Sequence, residues 1–403
     1  MSITYSNPCI VTRLIATLLS LFLVACQSTS VSLQNKFYVS ANENLFVDQY
    51  FPNYKKTQIE SPQKIFKLDS DIQTMVEEKL LPIPNKTKRA GHLLRLIFKN
   101  KDEGINYLST ANIDASEAFH SNTANCLSLT IMAYALATKA NLDIHFQEVN
   151  IPEFWVRNGH YSMLTGHVNL LIKTPKKTNA TILYNSKNLQ IDFDPYIAKK
   201  KFPRHIINKS RVISMFYNNK AAQAIVDGNY DAAYAYLKSA IETTPNVSNV
   251  WGNLALLYRL TNHISFAEQT YKYALSLDKN NFTVLSNYSI LLKINGDIEA
   301  YNKIQRKIEN KRQNNPYYYA MLGDEAAFKN DLQKAVTYYK KAIYLNKNIH
   351  EFYFGLAKVY YRLKAINNAE NAIKKAIRLN KSTHIDKQYI AKLNLFKSTE
   401  LTH

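Results

Sequence analysis

The sequence predicts an α+β domain followed by an all-α solenoid of helical repeats. The solenoid is predicted because large and small apolar residues recur every 34 positions through the C-terminal half of the chain. The α+β domain is predicted because helical apolar spacing comes first, and strand-like runs follow, in the part before the repeats. The chain has 403 residues, 46% of them hydrophobic and 20% charged. That composition is typical of globular proteins and leaves room for two or three domains.

The first 25 residues are predicted to be an export signal. A single arginine, Arg13, precedes an apolar run from Leu14 to Ala25, which is too short to span a bilayer comfortably. The run ends in Leu23-Val24-Ala25-Cys26, which resembles the lipobox of bacterial lipoproteins. The resemblance implies that the mature protein starts at Cys26 and carries lipid on that thiol. Because Gln27 rather than Asp follows, it also implies an outer-membrane lipoprotein that faces the periplasm.

Lipid on Cys26 is expected to hold the protein firmly at the membrane, since each buried CH₂ contributes roughly 0.8 kcal/mol. Residues 26–60 are then a lipidated tether and N-terminal extension. No later run approaches about 18 apolar residues, so the rest is expected to be soluble in the periplasm. The alternative is an N-terminal anchor that is not cleaved.

The charge balance is strongly basic, with a net charge of +20 for the whole chain. Such a balance suits an anionic partner such as a membrane surface or an acidic polymer. However, the charges are scattered, and the local cluster Lys199-Lys200-Lys201 with Arg204 is interpreted as a solvated connector. The sequence shows no zinc-ligand spacing, aromatic-basic nucleic-acid motif or glycine-rich phosphate loop. We therefore expect no metal, no other cofactor and no nucleic-acid partner.

Residues 61–213 are predicted to form the α+β domain. Apolar residues three or four positions apart predict helices, and short β-branched or alternating runs predict strands. The predicted helices cover Ile72–Leu81, Gly91–Phe98 and Leu127–Ala140, and the predicted strands cover His145–Val149, His167–Ile172, Ile182–Tyr184 and Leu189–Phe193.

One cysteine of this domain, Cys126, is left without a disulfide partner. Cys9 leaves with the signal and Cys26 carries lipid, so Cys126 is a free thiol in a compartment that oxidises thiols. Such a thiol is either a small buried hydrophobe or is kept for its reactivity. A thiol at a helix N-terminus suits reactivity, because the helix dipole and unpaired N–H groups favour the thiolate.

Four short motifs of this domain resemble the motifs of a known family of enzymes. They are Tyr107-Leu108-Ser109-Thr110-Ala111, Asn125-Cys126-Leu127-Ser128-Leu129, Gly166-His167-Val168-Asn169 and Asp192-Phe193. Together they resemble the transglutaminase-like fold of papain-type Cys-His-Asp enzymes. In that family the Cys opens a helix, the His lies on a following strand and the Asp on a later one, and the order here is the same.

The resemblance implies that Cys126 is the nucleophile and that His167 takes the thiol proton and later protonates the leaving amine. An Asp would orient the imidazole. Asp192 and Asp194 lie on one face of the same predicted strand, so both remain candidates, with a slight preference for Asp192. His160 is a competing base, but Asn158-Gly159-His160 is typical of a turn, whereas His167 opens a strand.

The sequence does not decide which donor stabilises the oxyanion or where Trp155 lies. The backbone N–H of Cys126 and a donor from residues 122–125 are expected to stabilise the oxyanion. Trp155 is expected either to line the cleft or to belong to the core.

Residues 214–383 are predicted to be five repeats that start at 214, 248, 282, 316 and 350. The fourth position is large and apolar throughout: Tyr217, Trp251, Leu285, Tyr319 and Tyr353. The twentieth and twenty-seventh positions are mostly Ala, which lets two antiparallel helices approach closely: Ala233, Ala240, Ala267, Ala274, Ala335, Ala342, Ala369 and Ala376. The pattern resembles the tetratricopeptide repeat (TPR). It implies a right-handed superhelix of helical hairpins with a concave groove. We expect this groove to bind a protein or peptide, and the alternative is a purely structural or dimerising role.

Two parts of the array depart from this pattern. The third repeat carries Tyr301 and Ile308 at the two small positions, so we expect it to pack less closely. Residues 384–403 are predicted to be a capping helix and tail, because Ile385, Tyr389, Leu393 and Phe396 keep helical spacing.

The sequence therefore predicts a periplasmic cysteine hydrolase or acyltransferase that attacks an amide, with repeats that bind a protein partner or substrate. The alternative is a non-catalytic TPR scaffold lipoprotein for envelope protein assembly. A third hypothesis is binding of an anionic glycan or lipid through the basic surface.

Overall fold

The computed structural model describes residues 45–99, 106–108, 111–121, 123–158, 161–173, 188–193, 201–380, 389, 390 and 392. The chain divides into two compact units, residues 1–52 and 53–403. Within the first unit, a 3₁₀ turn covers Asp48–Tyr50. The predicted export signal and the lipidation residue Cys26 lie outside the described residues.

Five α-helices precede or interleave with the first strands of the second unit. They are α1 (Pro62–Ile65), α2 (Ser70–Lys79), α3 (Lys86–Lys99), α4 (Ala115–His120) and α5 (Cys126–Lys139). Helix α2 begins where the Asp69 side chain accepts a hydrogen bond from the backbone N–H of Ile72, and it buries Ile72 and Val76 one turn apart. Helices α2, α3 and α5 correspond to the three that the apolar spacing predicts, with ends shifted by one to five residues.

The eight described strands form three small sheets. They are β1 (Asn106–Tyr107), β2 (Thr123–Ala124), β3 (Asp143–Val149), β4 (Trp155–Asn158), β5 (Tyr161–Leu164), β6 (Val168–Lys173), β7 (Leu189–Ile191) and β8 (Arg204–Ile207). Strands β7-β6-β3-β8 make an antiparallel sheet in that order, β1 pairs with β2 in parallel, and β4 pairs with β5 as a hairpin. The sequence missed β1, β2, β4, β5 and β8, and the predicted strand Ile182–Tyr184 lies outside the described residues.

Helix α5 packs on the four-stranded sheet. Its Tyr134 ring stacks on Phe146 of β3, with centroids 4.2 Å apart. Phe146, Leu170 and Ile172 point from β3 and β6 into this core and are nearly inaccessible to solvent. The packing fixes the N-terminal end of α5 against the start of β6.

Ten α-helices then follow as five antiparallel pairs. The first helices are α6 (Lys209–Val226), α8 (Ser248–Leu260), α10 (Phe282–Ile294), α12 (Pro316–Phe328) and α14 (His350–Arg362), and the second are α7 (Tyr230–Thr243), α9 (Ile264–Leu277), α11 (Ile298–Arg312), α13 (Leu332–Leu345) and α15 (Ile366–Leu379). The second helices begin at residues 230, 264, 298, 332 and 366, a constant step of 34. Helix α6 begins five residues before position 214, so it crosses the domain boundary that the repeat register predicts.

The small residues at the predicted positions lie at the contact between paired helices. All eight alanines of the twentieth and twenty-seventh positions are 0% exposed. In the third repeat Ile308 is buried and Tyr301 half-buried, and its looser packing stays a prediction.

The end of the array carries one described feature of the predicted capping helix. The Tyr389 ring stacks on Phe354 of α14 with centroids 4.4 Å apart, and Tyr389 is 4% exposed. Most of residues 384–403 lie outside the described part of the chain.

Candidate functional site

Cys126 is the first residue of helix α5. The preceding residue, Asn125, is extended, and its side-chain oxygen accepts a hydrogen bond from the backbone N–H of Ser128 at 2.8 Å. This cap starts the helix at Cys126, so the thiol lies where the helix dipole favours negative charge. The thiol is free and partly exposed.

His167 and Asp192 complete a chain of polar contacts with Cys126. His167 immediately precedes β6, and its Nδ1 lies 3.6 Å from Cys126 Sγ. Its Nε2 lies 2.8 Å from Asp192 Oδ1. Asp192 follows β7, which pairs with β6 through Leu170 and Ile191, and this pairing brings the carboxylate to the imidazole. Both side chains are deeply buried, at 4% and 2% exposed.

Asn169 is a member of the site that the sequence did not identify. It lies two residues after His167, and therefore on the same face of the chain as it enters β6. Its Nδ2 donates to Asp192 Oδ2 at 2.9 Å, and the residue is 0% exposed. The carboxylate of Asp192 is thus held by one partner on each oxygen, which fixes its direction toward His167.

The surroundings of His167 favour its charged form. Burial opposes the charge, but the hydrogen bonds to Asp192 and Cys126 and the negative charge of both outweigh it and raise the pKa of His167 to about 10. The ring is then an imidazolium at neutral pH, with one N–H directed at the sulfur and the other at the carboxylate.

The backbone carbonyl of Val168 is a second polar neighbour of the Cys126 thiol. Cys126 Sγ lies 3.4 Å from the backbone oxygen of Val168, and Thr130 Oγ1 donates to the same oxygen at 3.4 Å. A thiol can donate to this carbonyl, whereas a thiolate is repelled by its negative end. The sulfur therefore has two polar neighbours, the His167 ring and the Val168 carbonyl.

The remaining predicted residues of the site either fall outside the described residues or do not line the cleft. Asp194, His160 and Asn122 are outside the described residues. Trp155 is not among the residues that line the cleft; its ring faces Arg312 at 4.8 Å and Tyr318 at 6.2 Å. Of the predicted loop donors, the N–H groups of Thr123 and Asn125 are engaged, by Ser121 Oγ and by the oxygen of Ala111.

Cys126 and His167 open into a cleft of about 250 Å³. One wall comes from the α+β part, through α5 and the β4–β5 hairpin. The other wall comes from the start of the solenoid, through α6 and the N-terminal end of α8. The sequence predicted the two parts as separate modules, because no local pattern reports contacts between segments so far apart in the chain.

The segment that leads into the β4–β5 hairpin is joined to the solenoid by an ion pair between a buried arginine and a partly exposed carboxylate. Arg312, at the end of α11, donates from Nε and Nη2 to the two carboxylate oxygens of Glu153, each at 2.8 Å. The Asn315 side chain donates to the backbone oxygen of Glu153 at 2.7 Å. At the other end of β4, Asn158 donates to Gln223 of α6 at 3.2 Å. The solenoid therefore holds one wall of the cleft in position.

Two negative findings apply to the described residues alone. Among them, no group of three or more His, Cys, Asp or Glu side chains is arranged to hold a metal ion. Likewise, none of the helices in the described ranges is long and apolar enough to cross a bilayer.

Comparison with known proteins decides the class of the repeats. A model of the tetratricopeptide repeat matches residues 316–349 and 350–383. The C-terminal part of the chain contains tetratricopeptide repeats. These two segments are the fourth and fifth repeats of the register predicted from the sequence. Repeats of this class indicate protein–protein interaction.

Similar proteins match less than half of the chain. The human protein O-mannosyl-transferase TMTC3 is 25% identical over 190 residues, which are 43% of this chain and 20% of that protein. The chain thus spans about a fifth of the length of this curated relative. Among solved structures, Pseudomonas aeruginosa pilF is 20% identical over 47% of this chain and 91% of its own, with a TM-score of 0.28. YrrB, described as a TPR protein with an unusual peptide-binding site, is 13% identical over 43% of this chain and 90% of its own, with a TM-score of 0.25.

Proposed function

We propose that this protein is a cysteine hydrolase or acyltransferase of transglutaminase-like type that acts on an amide bond. The observation that carries the proposal is the chain of contacts from Cys126 Sγ through His167 to Asp192, at 3.6 and 2.8 Å. A nucleophile, a base within reach and a carboxylate that orients the base are the parts that acyl transfer through a thioester requires. Asp194 remains a candidate for the third position.

The reaction begins when the Cys126 thiolate attacks the carbonyl carbon of the amide. A C–S bond forms, and the carbonyl electron pair moves to oxygen, where the backbone N–H of Cys126 stabilises it. The Nδ1 proton of His167 passes to the amide nitrogen, the C–N bond breaks and the amine leaves. His167 Nδ1 then accepts a proton from water or from an acceptor amine, which attacks the thioester and releases Cys126. We prefer water as the acceptor.

We also propose that the protein is an outer-membrane lipoprotein, anchored through Cys26 and facing the periplasm. Under this proposal the repeats bind a protein partner or substrate. A Cys26→Ser variant is expected to be lost from the outer-membrane fraction, because it cannot carry the lipid. Retention of this variant in the outer membrane would contradict lipid anchoring.

A pulse of iodoacetamide on native protein at neutral pH tests the enzyme proposal. Cys126 is expected to be alkylated rapidly in the wild type, and much more slowly in His167→Ala, because the imidazolium that pairs with the sulfur is lost. The control is His120→Ala, since His120 forms a comparable pair with Asp69 on an exposed surface. A thiol that reacts only after denaturation contradicts the proposal.

The second candidate is a non-catalytic TPR scaffold for envelope protein assembly. It is favoured by the TPR match and by the Val168 carbonyl, which gives the thiol a partner in its uncharged form. The same alkylation experiment separates the two candidates, because a scaffold does not need an ionised sulfur.

A further inference from the structure

The cleft at Cys126 is nearly neutral, although the chain carries a net charge of +20. Among the described residues that line it, Arg211 of α6 is the only Lys or Arg, and it lies 3.3 Å from Glu148 of β3, which also lines the cleft. A ligand with uncompensated charge would lose water there without gaining an opposite charge. The cleft therefore fits an uncharged ligand.

Three carboxamide side chains lie on the solenoid wall. Asn218, Asn219 and Asn249 all line the cleft. Asn218 Oδ1 accepts from Asn253 at 2.8 Å and Asn249 Oδ1 accepts from Asn281, which leaves the NH₂ group of each to donate. Asn219 makes no side-chain hydrogen bond within the described part of the chain. A carboxamide carries a donor and an acceptor side by side, and so matches a peptide group.

Apolar side chains line much of the remaining surface of the cleft. Leu127, Val156, Met163, Leu164, Met215 and Val250 line it. Aromatic residues make up 12% of the sequence, yet no Phe, Tyr or Trp lies among the described residues that line the cleft. Sugar rings bind best when their C–H faces stack on aromatic rings, so this surface fits aliphatic side chains better than a glycan.

We propose that the cleft binds an extended polypeptide segment with uncharged, mainly aliphatic side chains. The segment exposes a peptide group at every residue, and these groups pair with Asn218, Asn219 and Asn249 while one amide reaches Cys126. The solenoid then acts as the substrate wall of the site as well as its support. This inference rests on the proposed function, because it places the reacting amide at the thiol.

The test uses full-length Cys126→Ala protein, which cannot form a thioester, on arrays of acetylated and amidated decapeptides. One array is randomised over Ala, Val, Leu, Ser and Thr, a second adds Asp and Glu, a third adds Lys and Arg, and a chitin hexasaccharide is spotted beside them. We expect binding mainly on the uncharged array, and little change between low and moderate salt.

Substitutions of Asn219 and Asn249 on the solenoid wall of the cleft test whether the peptides bind there. Asn219→Leu and Asn249→Leu are each expected to weaken binding about fivefold to tenfold, since each removes hydrogen bonds to the peptide. The matched control is Asn302→Leu, an exposed position of α11 that lies away from the cleft and is expected to bind normally.

Several results overturn the inference. They are preference for the charged arrays or the saccharide, absence of binding to every array, and binding that Asn219→Leu and Asn249→Leu leave unchanged. Alkylation of Cys126 in the otherwise wild-type chain is measured in parallel. His167-dependent alkylation without peptide binding rejects only this inference, whereas peptide binding with an inert thiol rejects only the enzyme proposal.

Discussion

At the scale of single residues, the site depends on the charge of His167. The Asp192 carboxylate and the sulfur raise the pKa of His167 to about 10 against the cost of burial. Because this value lies above the ordinary 6.5, the imidazolium stabilises the fold fully below pH 6.5, and this contribution is lost as the pH rises through about 10. Across the neutral range, the same charge faces the Cys126 sulfur.

Asp192→Asn is expected to lower the rate of Cys126 alkylation at neutral pH at least about tenfold. The variant keeps the size of the side chain but removes the negative charge, so the imidazolium next to the sulfur loses stabilisation. The measurement is the alkylation rate from pH 5 to 10, followed by mass spectrometry. Asp143→Asn serves as the control, because the exposed Asp143 pairs with His145, and neither residue lines the cleft. Identical pH profiles for Asp192→Asn and wild type would contradict this role.

The sequence predicted Cys126, His167 and either Asp192 or Asp194 through a resemblance carried by short motifs, and in the structure Cys126, His167 and Asp192 contact one another. Asn169 was not predicted to belong to the site, although it lies in the motif Gly166-His167-Val168-Asn169. The reason is physical: the partner of Asn169 is Asp192, 23 residues away, and the contact exists only once β6 and β7 pair.

At the scale of elements, the β4–β5 hairpin depends on the solenoid. Arg312 has a side chain only 4% exposed and is bound to both oxygens of Glu153. The guanidinium also lies 4.8 Å from the Trp155 ring. These contacts are the main described link between the segment leading into the hairpin and the third repeat.

Arg312→Met is expected to destabilise this attachment by about 3 kcal/mol, because it leaves the partly buried Glu153 carboxylate unpaired. Hydrogen exchange of residues 153–164 should accelerate, while exchange in α14 and α15 stays unchanged. Combining Arg312→Met with Glu153→Gln is expected to restore part of the protection. Lys311→Met, an exposed neighbour, is the control. If the hairpin exchanges at the wild-type rate in Arg312→Met, the ion pair does not hold it.

Packing between the fourth and fifth repeats depends on two glycines around one ring. A Cβ atom at Gly323 would lie 2.9 Å from the Tyr339 ring, and one at Gly355 would overlap the same ring. Tyr339 is fixed further by its hydroxyl, which donates to Asp324 at 2.6 Å, and it is 3% exposed. The ring therefore has little freedom to move aside.

Gly323→Ala and Gly355→Ala are each expected to lower the free energy of unfolding by about 1–3 kcal/mol, through overpacking against Tyr339. Urea unfolding followed by circular dichroism measures the effect. Gly91→Ala in α3 is the matched control: no atom lies within 4 Å of its Cβ position, so the higher helix propensity of Ala should stabilise α3 slightly. If Gly323→Ala and Gly355→Ala are as stable as Gly91→Ala, the Tyr339 ring is free to move aside and the packing argument is wrong.

At the scale of the whole molecule, the solenoid was predictable and its relation to the site was not. The 34-residue period repeats local spacing five times, and the second helices follow that step without a break. By contrast, the cleft joins residues near 126 and 167 to residues near 219 and 249, which share no periodic pattern. The hairpin strands β4 and β5 were missed for a related reason, since all eight of their residues are half-buried and show no clear alternation.

The central claim is that Cys126 forms an acyl-enzyme with the help of His167 and Asp192. Incubating the full chain with p-nitrophenyl acetate and measuring intact and peptide masses tests this most directly. We predict rapid release of one equivalent of p-nitrophenol and the mass of one acetyl group on Cys126, with neither effect in Cys126→Ala and much slower acetylation in His167→Ala and Asp192→Asn. An unmodified Cys126 in the native wild type, or acetylation that proceeds equally fast in the His167→Ala variant, would contradict the claim.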